Sequence, residues 1–258
     1  MNDAFLDGQV AIVNAAGGGF GTAVAGGLAR RGARVVLQDL PSAEPAVSAS
    51  IARIAETGGD AVSCFADATN PDEAPKPAAL ALETWGRVDV LVNLVGGSVG
   101  PVKCPVWEQT IDDWVATLDR NLTATFRATQ AVLPTMMERR SGKIVNTAST
   151  AWAGHPGNAA YSAAKAAVVS FTRTLSQQLA PYDINVNAVA PGISRTGFFQ
   201  RMGFDEAGVP ESFTSAIPLG RVNEPDDVAG TILFLLSPTA RNISGQLITV
   251  AGGQNPSL

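Results

Sequence analysis

Asn14-Ala15-Ala16-Gly17-Gly18-Gly19-Phe20-Gly21 lies between the apolar run Gln9–Asn14 and an Ala/Val/Leu-rich run, and its reading decides the fold. A glycine-rich turn between a strand and a helix lets a dinucleotide pyrophosphate approach the backbone closely and meet the helix N-terminus. Four glycines in eight residues also make a flexible turn, so the stretch means a phosphate site only in the right context.

That context repeats along the chain. Runs rich in β-branched residues at Gln9–Asn14, Arg34–Gln38, Ala61–Phe65, Val88–Asn93, Lys143–Thr147, Ile184–Val189 and Gln246–Val250 predict seven buried strands. Helical spacing predicts helices over Gly21–Arg31, Glu44–Glu56, Asp72–Trp85, Thr110–Arg139, Ala159–Ala180 and Asp226–Leu236. Strand and helix alternate throughout, which argues a parallel sheet covered on both faces. The expectation is one doubly wound (Rossmann) α/β domain over residues 1–258 with a seven-stranded parallel sheet. The longest stretch without a period, about 191–219, holds Phe198, Phe199, Met202, Phe204 and Phe213 and reads as a substrate loop.

The composition excludes several classes. With 46% hydrophobic and 16% charged residues over 258 positions, the chain has the make-up of a globular protein, and a net charge of −5 offers no basic surface to nucleic acid. Cys64 and Cys104 have no metal-ligand spacing, so no metal site and no disulfide framework are expected. No charged leader or long apolar run stands at the start, so the protein is expected to be soluble and cytoplasmic, with no membrane partner.

With a strand before it and a helix after it, the opening stretch reads as a dinucleotide site. The second strand ends at Gln38-Asp39, where an acidic side chain can accept both hydrogen bonds of an adenosine ribose and would repel a 2′-phosphate. That favours NAD; the alternative is that Asp39 only starts the turn before Pro41. Further on, Tyr161 and Lys165 stand four residues apart on one helix face. At roughly 4 Å and an effective dielectric near 20, the ammonium favours the phenolate by up to about 4 kcal/mol, enough to bring a tyrosine toward acid–base work near neutral pH. A surface pair on an amphipathic helix is the alternative.

These residues form part of an ordered set: the turn at 14–21, Asp67-Ala68-Thr69 after the third strand, Asn93-Leu94-Val95-Gly96 after the fourth, Asn121, Ser149, Tyr161 with Lys165, Pro191-Gly192, and the closing "PLGRVNEPDDVAGTILFLLS…ISGQLITVAGG". Over nearly its whole length the chain resembles the short-chain dehydrogenase/reductase family. The resemblance implies that Tyr161 moves the proton, Ser149 hydrogen-bonds the substrate oxygen, Lys165 lowers the tyrosine pKa and holds the nicotinamide ribose, and Asn121 anchors a water in a proton relay. It also implies cofactor contacts from Gly18, Gly19, Phe20, Gly21, Asp67, Ala68, Asn93 and Ile193, Asn93 serving chiefly as a brace for the central strand. His155, between Ser149 and Tyr161, reads as an incidental loop residue.

Three departures from the family pattern stand out. Asn14-Ala15 replaces Thr-Gly, Asn93-Leu94-Val95-Gly96 replaces Asn-Asn-Ala-Gly, and Ala251 replaces the acidic residue before the final glycine pair. Ala15 is expected at a negative φ, which alanine tolerates, with close approach resting on Gly19 and Gly21. Trp152, Phe198, Phe199 and Met202 are expected to wall an apolar pocket for a small-molecule alcohol or ketone, cyclic or aryl. An acyl-carrier ketoreductase, with Arg127 and Arg173 facing the carrier, and a catalytically silent nucleotide sensor are the alternatives. A homo-oligomer, dimer or tetramer, is expected.

Overall fold

The structure is a computed structural model and describes residues 4–101, 103–197, 199 and 209–254. The apolar runs form β1 (Val10–Asn14), β2 (Arg34–Asp39), β3 (Ala61–Phe65), β4 (Val90–Asn93), β5 (Gly142–Thr147), β6 (Ile184–Pro191) and β7 (Leu247–Val250). All pair in parallel, in the order β3-β2-β1-β4-β5-β6-β7. The chain builds outward from β1 to β3, then returns and builds the other way from β4. The strand order therefore reverses between β1 and β4, and a crevice opens beyond their carboxyl ends. This is the expected Rossmann-like α/β architecture.

Among the described residues the α-helices of eight residues or more are α1 (Gly19–Ala29), α2 (Glu44–Glu56), α3 (Lys76–Trp85), α4 (Ile111–Leu118), α5 (Ala124–Arg139), α6 (Ala159–Leu179) and α7 (Pro225–Leu236). A parallel sheet buries both faces, and alternate residues of each strand serve the two sides. Val13, Val35, Leu37 and Val92 meet Leu28, Ile232 and Leu236 on one side; Ile12, Val36, Leu91 and Ile144 meet Val132, Met136, Leu175 and Leu179 on the other. Full burial of each such side chain contributes about 1.5–3 kcal/mol.

Two elements differ from the sequence reading. The helix expected over 110–139 is interrupted by a five-residue π-turn, Asp119–Thr123. Within it the Asn121 carbonyl accepts the Thr125 hydroxyl at 2.7 Å, a side chain entering the helical ladder. The helix expected from Asp72 begins at Lys76, because a start at Asp72 would put Pro75 and Pro77 inside the helix, whereas here they stand at its N-cap and in its first turn, where proline is tolerated. Among the described residues, no helix is long and apolar enough to cross a membrane, and no three His, Cys, Asp or Glu side chains are grouped to hold a metal.

Candidate active site

The opening stretch leaves β1 and enters α1 over Gly18, whose extended backbone caps the helix without any side chain across its N–H groups. A Cβ on Gly21 would lie 2.5 Å from the Ala16 Cα and press into the Ala15 carbonyl, so only glycine lets the helix start this close to the strand. Gly19 is less constrained by the protein, since a Cβ there would sit 3.4 Å from Pro225 and Thr196. Phe20 turns inward onto the core.

Ala15 corrects the expectation for this turn: its φ is +53°, in the left-handed region. The reason is tertiary. The chain must leave β1 sharply enough for the Ala16 N–H to reach the Gln38 carbonyl at 3.0 Å and for the Gly18 N–H to reach the Ala15 carbonyl at 3.3 Å. A left-handed residue makes that bend, and here alanine bears its strain.

Asp39 ends β2 beside this turn. Its Oδ2 accepts the Gly17 N–H at 2.8 Å and its Oδ1 accepts the Leu40 N–H at 2.7 Å, so the carboxylate both starts its own turn and clasps the glycine turn. Each oxygen can accept a further hydrogen bond. Asp67 forms a tight turn after β3, accepting from the Thr69 N–H and hydroxyl at 2.8 and 2.7 Å, and Ala68 is buried beside it. Two residues not singled out for this turn brace it: Glu73 accepts the Asp67 N–H at 2.8 Å, and Arg127 donates to the Thr69 carbonyl and to Asp119. The Asp67 N–H and then Lys76 hold the Glu73 carboxyl below its usual range.

The loop after β4 crosses the crevice. Asn121, fully buried, grips it: its Oδ1 accepts the Gly97 N–H at 3.1 Å, and its Nδ2 donates to the Gly97 and Thr117 carbonyls at 2.9 and 2.8 Å. A Cβ on Gly96 would meet Asn121 Oδ1 at 2.7 Å and Lys165 Nζ at 2.8 Å, so glycine leaves open the gap that both groups border.

Lys165 and Tyr161 lie on one face of α6. Lys165, 2% exposed, donates to the Thr147 carbonyl at 2.7 Å and lies 5.7 Å from the centre of the Tyr161 ring. Ser149 begins a 3₁₀ turn over Thr150–Ala153, where its Oγ accepts the Ala151 N–H at 3.2 Å, and it also hydrogen-bonds Tyr161. Asn158 caps α6 by accepting the Tyr161 N–H at 3.0 Å, which sets where the tyrosine leaves the helix. An asparagine three residues before a helical tyrosine is a capping signal the sequence reading passed over. His155 serves its own loop, its Nδ1 accepting the Gly157 N–H at 3.0 Å.

The electrostatics correct the sequence expectation for this pair. Burial raises the Tyr161 phenol above its ordinary value, only partly opposed by the Ser149 hydrogen bond. Burial also lowers Lys165 to about 7. The enclosure that brings the two groups together penalises both charged forms, so bare attraction at surface-like dielectric overstates what lysine does for tyrosine.

Of the expected pocket walls, Phe198 and Met202 lie outside the described residues. Phe199, expected to face a substrate, is 5% exposed and packs with Ile217 and Val222, because a large ring gains more from burial than from an open wall. Trp152 is partly buried against Ala148, Val169 and Ala190, and Ile193 packs onto the Phe199 cluster just beyond β6.

Comparison with known proteins agrees with this geometry. Residues 15–255 match the family model described as enoyl-(acyl carrier protein) reductase. The chain is 39% identical over 250 residues to a 3-oxoacyl-[acyl-carrier-protein] reductase of Synechocystis sp., covering 96% of this chain and 97% of that one. It is 34% identical to a (2S)-[(R)-hydroxy(phenyl)methyl]succinyl-CoA dehydrogenase subunit of Thauera aromatica, covering 97% and 98%. A crystal structure of a 3-oxoacyl-[acyl-carrier protein] reductase with bound NAD from Brucella melitensis superposes with a TM-score of 0.85 at 31% identity, covering 100% of this chain and 96% of that one. On its sheet order, its glycine turn and these relatives, the chain belongs to the short-chain dehydrogenase/reductase family, the oxidoreductases that use a nicotinamide nucleotide.

Proposed function

We propose that this protein interconverts a secondary alcohol and its ketone with NAD, on a substrate whose body is apolar, cyclic or aryl. The observation that carries the reading is the joining of Ser149 and Tyr161 beside buried Lys165 at the carboxyl end of the sheet. The turn also fits a nicotinamide dinucleotide: Gly21 lets α1 start against β1, no side chain caps α1, and Asp39 faces the turn with spare acceptors. When bound, the nicotinamide supplies acceptance or donation of a hydride.

The protein supplies the proton and its path. In ketone reduction the Tyr161 hydroxyl gives its proton to the substrate oxygen while the Ser149 hydroxyl donates a hydrogen bond to the same oxygen, stabilising charge as it develops there. In alcohol oxidation the phenolate takes that proton back. Lys165 and Asn121, which border the gap at Gly96, are assigned to pass the proton from the tyrosine toward solvent. Gly18, Gly19, Phe20, Asp67, Ala68, Asn93 and Ile193 are assigned to hold the dinucleotide, and Trp152, Phe198 and Met202 to shape the substrate end, while Phe199 packs on Ile217 and Val222 instead. Asp39 favours NAD, because a 2′-phosphate would meet its carboxylate as a like charge. The phenyl-bearing substrate named for the Thauera relative supports an aryl alcohol here.

A carrier-bound 3-oxoacyl substrate is the second reading, favoured by the Synechocystis relative. Against it, Arg127 is spent inside the protein on Thr69 and Asp119, leaving exposed Arg173 as the other basic residue assigned to a carrier. We assign self-association to the apolar residues Trp107, Ile111 and Val115, which are 81%, 71% and 56% exposed.

Turnover of NAD and NADP with cyclic and aryl secondary alcohols, set against reduction of 3-oxoacyl thioesters, tests the proposal. Tyr161→Phe is expected to bind NADH almost normally and to lose roughly 10²–10⁴-fold in turnover. Near-normal turnover by that variant would refute the catalytic assignment. Equal efficiency with NADP would refute the cofactor assignment, and preference for the thioester would decide for the second reading.

A further inference from the structure

Tyr161 leaves α6 in its first turn, and that turn is held from outside the helix. Asn158, 4% exposed, accepts the Tyr161 N–H on Oδ1 at 3.0 Å, and its backbone carbonyl accepts the Ser162 N–H at 3.2 Å. The same Oδ1 accepts a second hydrogen bond, from Gln109 Nε2 at 3.2 Å. Gln109 stands 49 residues earlier in the chain and directly precedes Thr110, the N-cap of α4. The approach to α4 is tied to the same turn once more: the Cys104 N–H donates to the Gly157 carbonyl at 2.8 Å, and Cys104 and Asn158 form a parallel bridge.

An asparagine amide carries an acceptor at one end and a donor at the other on nearly the same shape, so it caps a helix only while its oxygen faces the turn. The Tyr161 N–H can only donate, so Asn158 must turn Oδ1 to it, and Gln109 must then present its nitrogen to that oxygen. Asn158 Nδ2 is left to donate to the Pro101 carbonyl at 3.5 Å. Gln109 thus favours the one orientation of Asn158 that caps α6. It does so against folding stability, because Gln109 Oε1 is buried with no hydrogen-bond partner among the described residues. An apolar side chain of similar size would avoid that cost.

We infer that Gln109 is a positioning residue for Tyr161: by fixing how Asn158 caps α6, it sets where the tyrosine hydroxyl stands relative to Ser149 and the substrate oxygen. The inference rests on the proposed dehydrogenase reading and deepens it. A misplacement of about 1 Å in a reacting group costs on the order of 100-fold in rate, so one bond at the cap reaches the chemistry. The rest of α6 stays in place, because it is anchored by buried Val168, Val169, Thr172, Leu175 and Leu179.

The test compares Gln109→Leu, Asn158→Ala and the double variant, using the secondary alcohol that the wild-type protein oxidises fastest. Gln109→Leu removes the donor together with the orphaned carbonyl, so it should melt at or above the wild-type temperature. Its kcat should nevertheless fall about tenfold, with the KM for the alcohol and the affinity for NADH within about twofold of wild type. In the Asn158→Ala background, where no cap is left to orient, Gln109→Leu should lower kcat by less than about twofold more. Amide hydrogen exchange needs no substrate: the Tyr161 N–H should exchange about tenfold faster in Gln109→Leu, while the α6 amides from Val168 onward keep their wild-type rates. A Gln109→Leu kcat within about twofold of wild type, an undiminished loss in the Asn158→Ala background, or unchanged exchange at Tyr161 would overturn the role of Gln109. A lowered melting temperature with faster exchange all along α6 would overturn it too, as the mark of general support. A wild-type protein that oxidises no secondary alcohol and reduces no ketone or 3-oxoacyl thioester would instead overturn the functional reading, and exchange at Tyr161 would still decide whether Gln109 fixes the cap.

Discussion

Replacing Lys165 by methionine should abolish turnover and, at neutral pH, stabilise the fold. Lys165 is 2% exposed, and its ammonium is held at about 7 by burial, against an ordinary value of 10.5. At about 1.4 kcal/mol per pH unit, that distance sets a ceiling of roughly 5 kcal/mol on the cost of keeping the charged amine in the folded protein. The sign follows from the protons bound. Between about 7 and 10.5 the unfolded chain holds a proton on this lysine and the folded one does not, so stability rises with pH across that window; as pH falls through 7 the folded protein must take up the charge, and that stability is gone. Methionine has nearly the same reach and carries no charge, but it leaves the Thr147 carbonyl without its donor, a loss of about 1–3 kcal/mol.

The net expectation is a gain of about 2 kcal/mol below pH 7, which in a chain of this size raises the melting temperature by roughly 4–8 °C. Near pH 10, where the wild-type amine is already neutral, the gain should vanish or reverse. Urea unfolding of both proteins from pH 6 to 10 measures this, because every other titrating group cancels in the difference. A Lys165→Met protein less stable than wild type at pH 6, or a difference that does not change with pH, would refute the assignment of a costly buried ammonium.

Ala15→Gly should stabilise the protein by about 0.5–1 kcal/mol, because it removes a left-handed alanine strain of about 1–2 kcal/mol at some cost in unfolded-chain entropy; a thermal melt at or below wild type would contradict the φ of +53°. Gly96→Ala should keep its circular dichroism spectrum yet lose about 100-fold or more in turnover, since its methyl enters the gap bordered by Asn121 and Lys165; a kcat within threefold of wild type would show that the gap is not used. In the cofactor-free protein, ultraviolet titration should find one of the two tyrosines ionising above its ordinary value of 10.0, and that component should disappear in Tyr161→Phe; a Tyr161 phenolate forming below 10 would reverse the direction assigned to burial.

The parts of this site that were legible in the sequence are those whose signal is local. The passage from β1 to α1 shows as a change of apolar period around a glycine cluster, Asp39 as an acid at the end of a strand, and Tyr161 with Lys165 as two residues on one helix face. What was not legible depends on residues far apart in the chain. The positive φ of Ala15 answers to the Gln38 carbonyl, the raised tyrosine depends on how α6 is enclosed, and the π-turn at Asn121 interrupts a helix whose apolar period runs on unbroken. Asn14 and Asn93 are 79 residues apart, and no local pattern pairs them.

A sign of that pairing is nonetheless written at the strand ends. Two strands close on a buried amide, β1 at Asn14 and β4 at Asn93, and these are neighbours in the sheet. The other strands β2, β3, β5, β6 and β7 end on Asp39, Phe65, Thr147, Pro191 and Val250 instead. A buried amide survives at a strand end where another polar group meets it, and Asn14 and Asn93 meet each other, so their amides mark β1 and β4 as neighbours. By that argument the two strands that border the crevice, β1 and β4, can be picked out from their last residues.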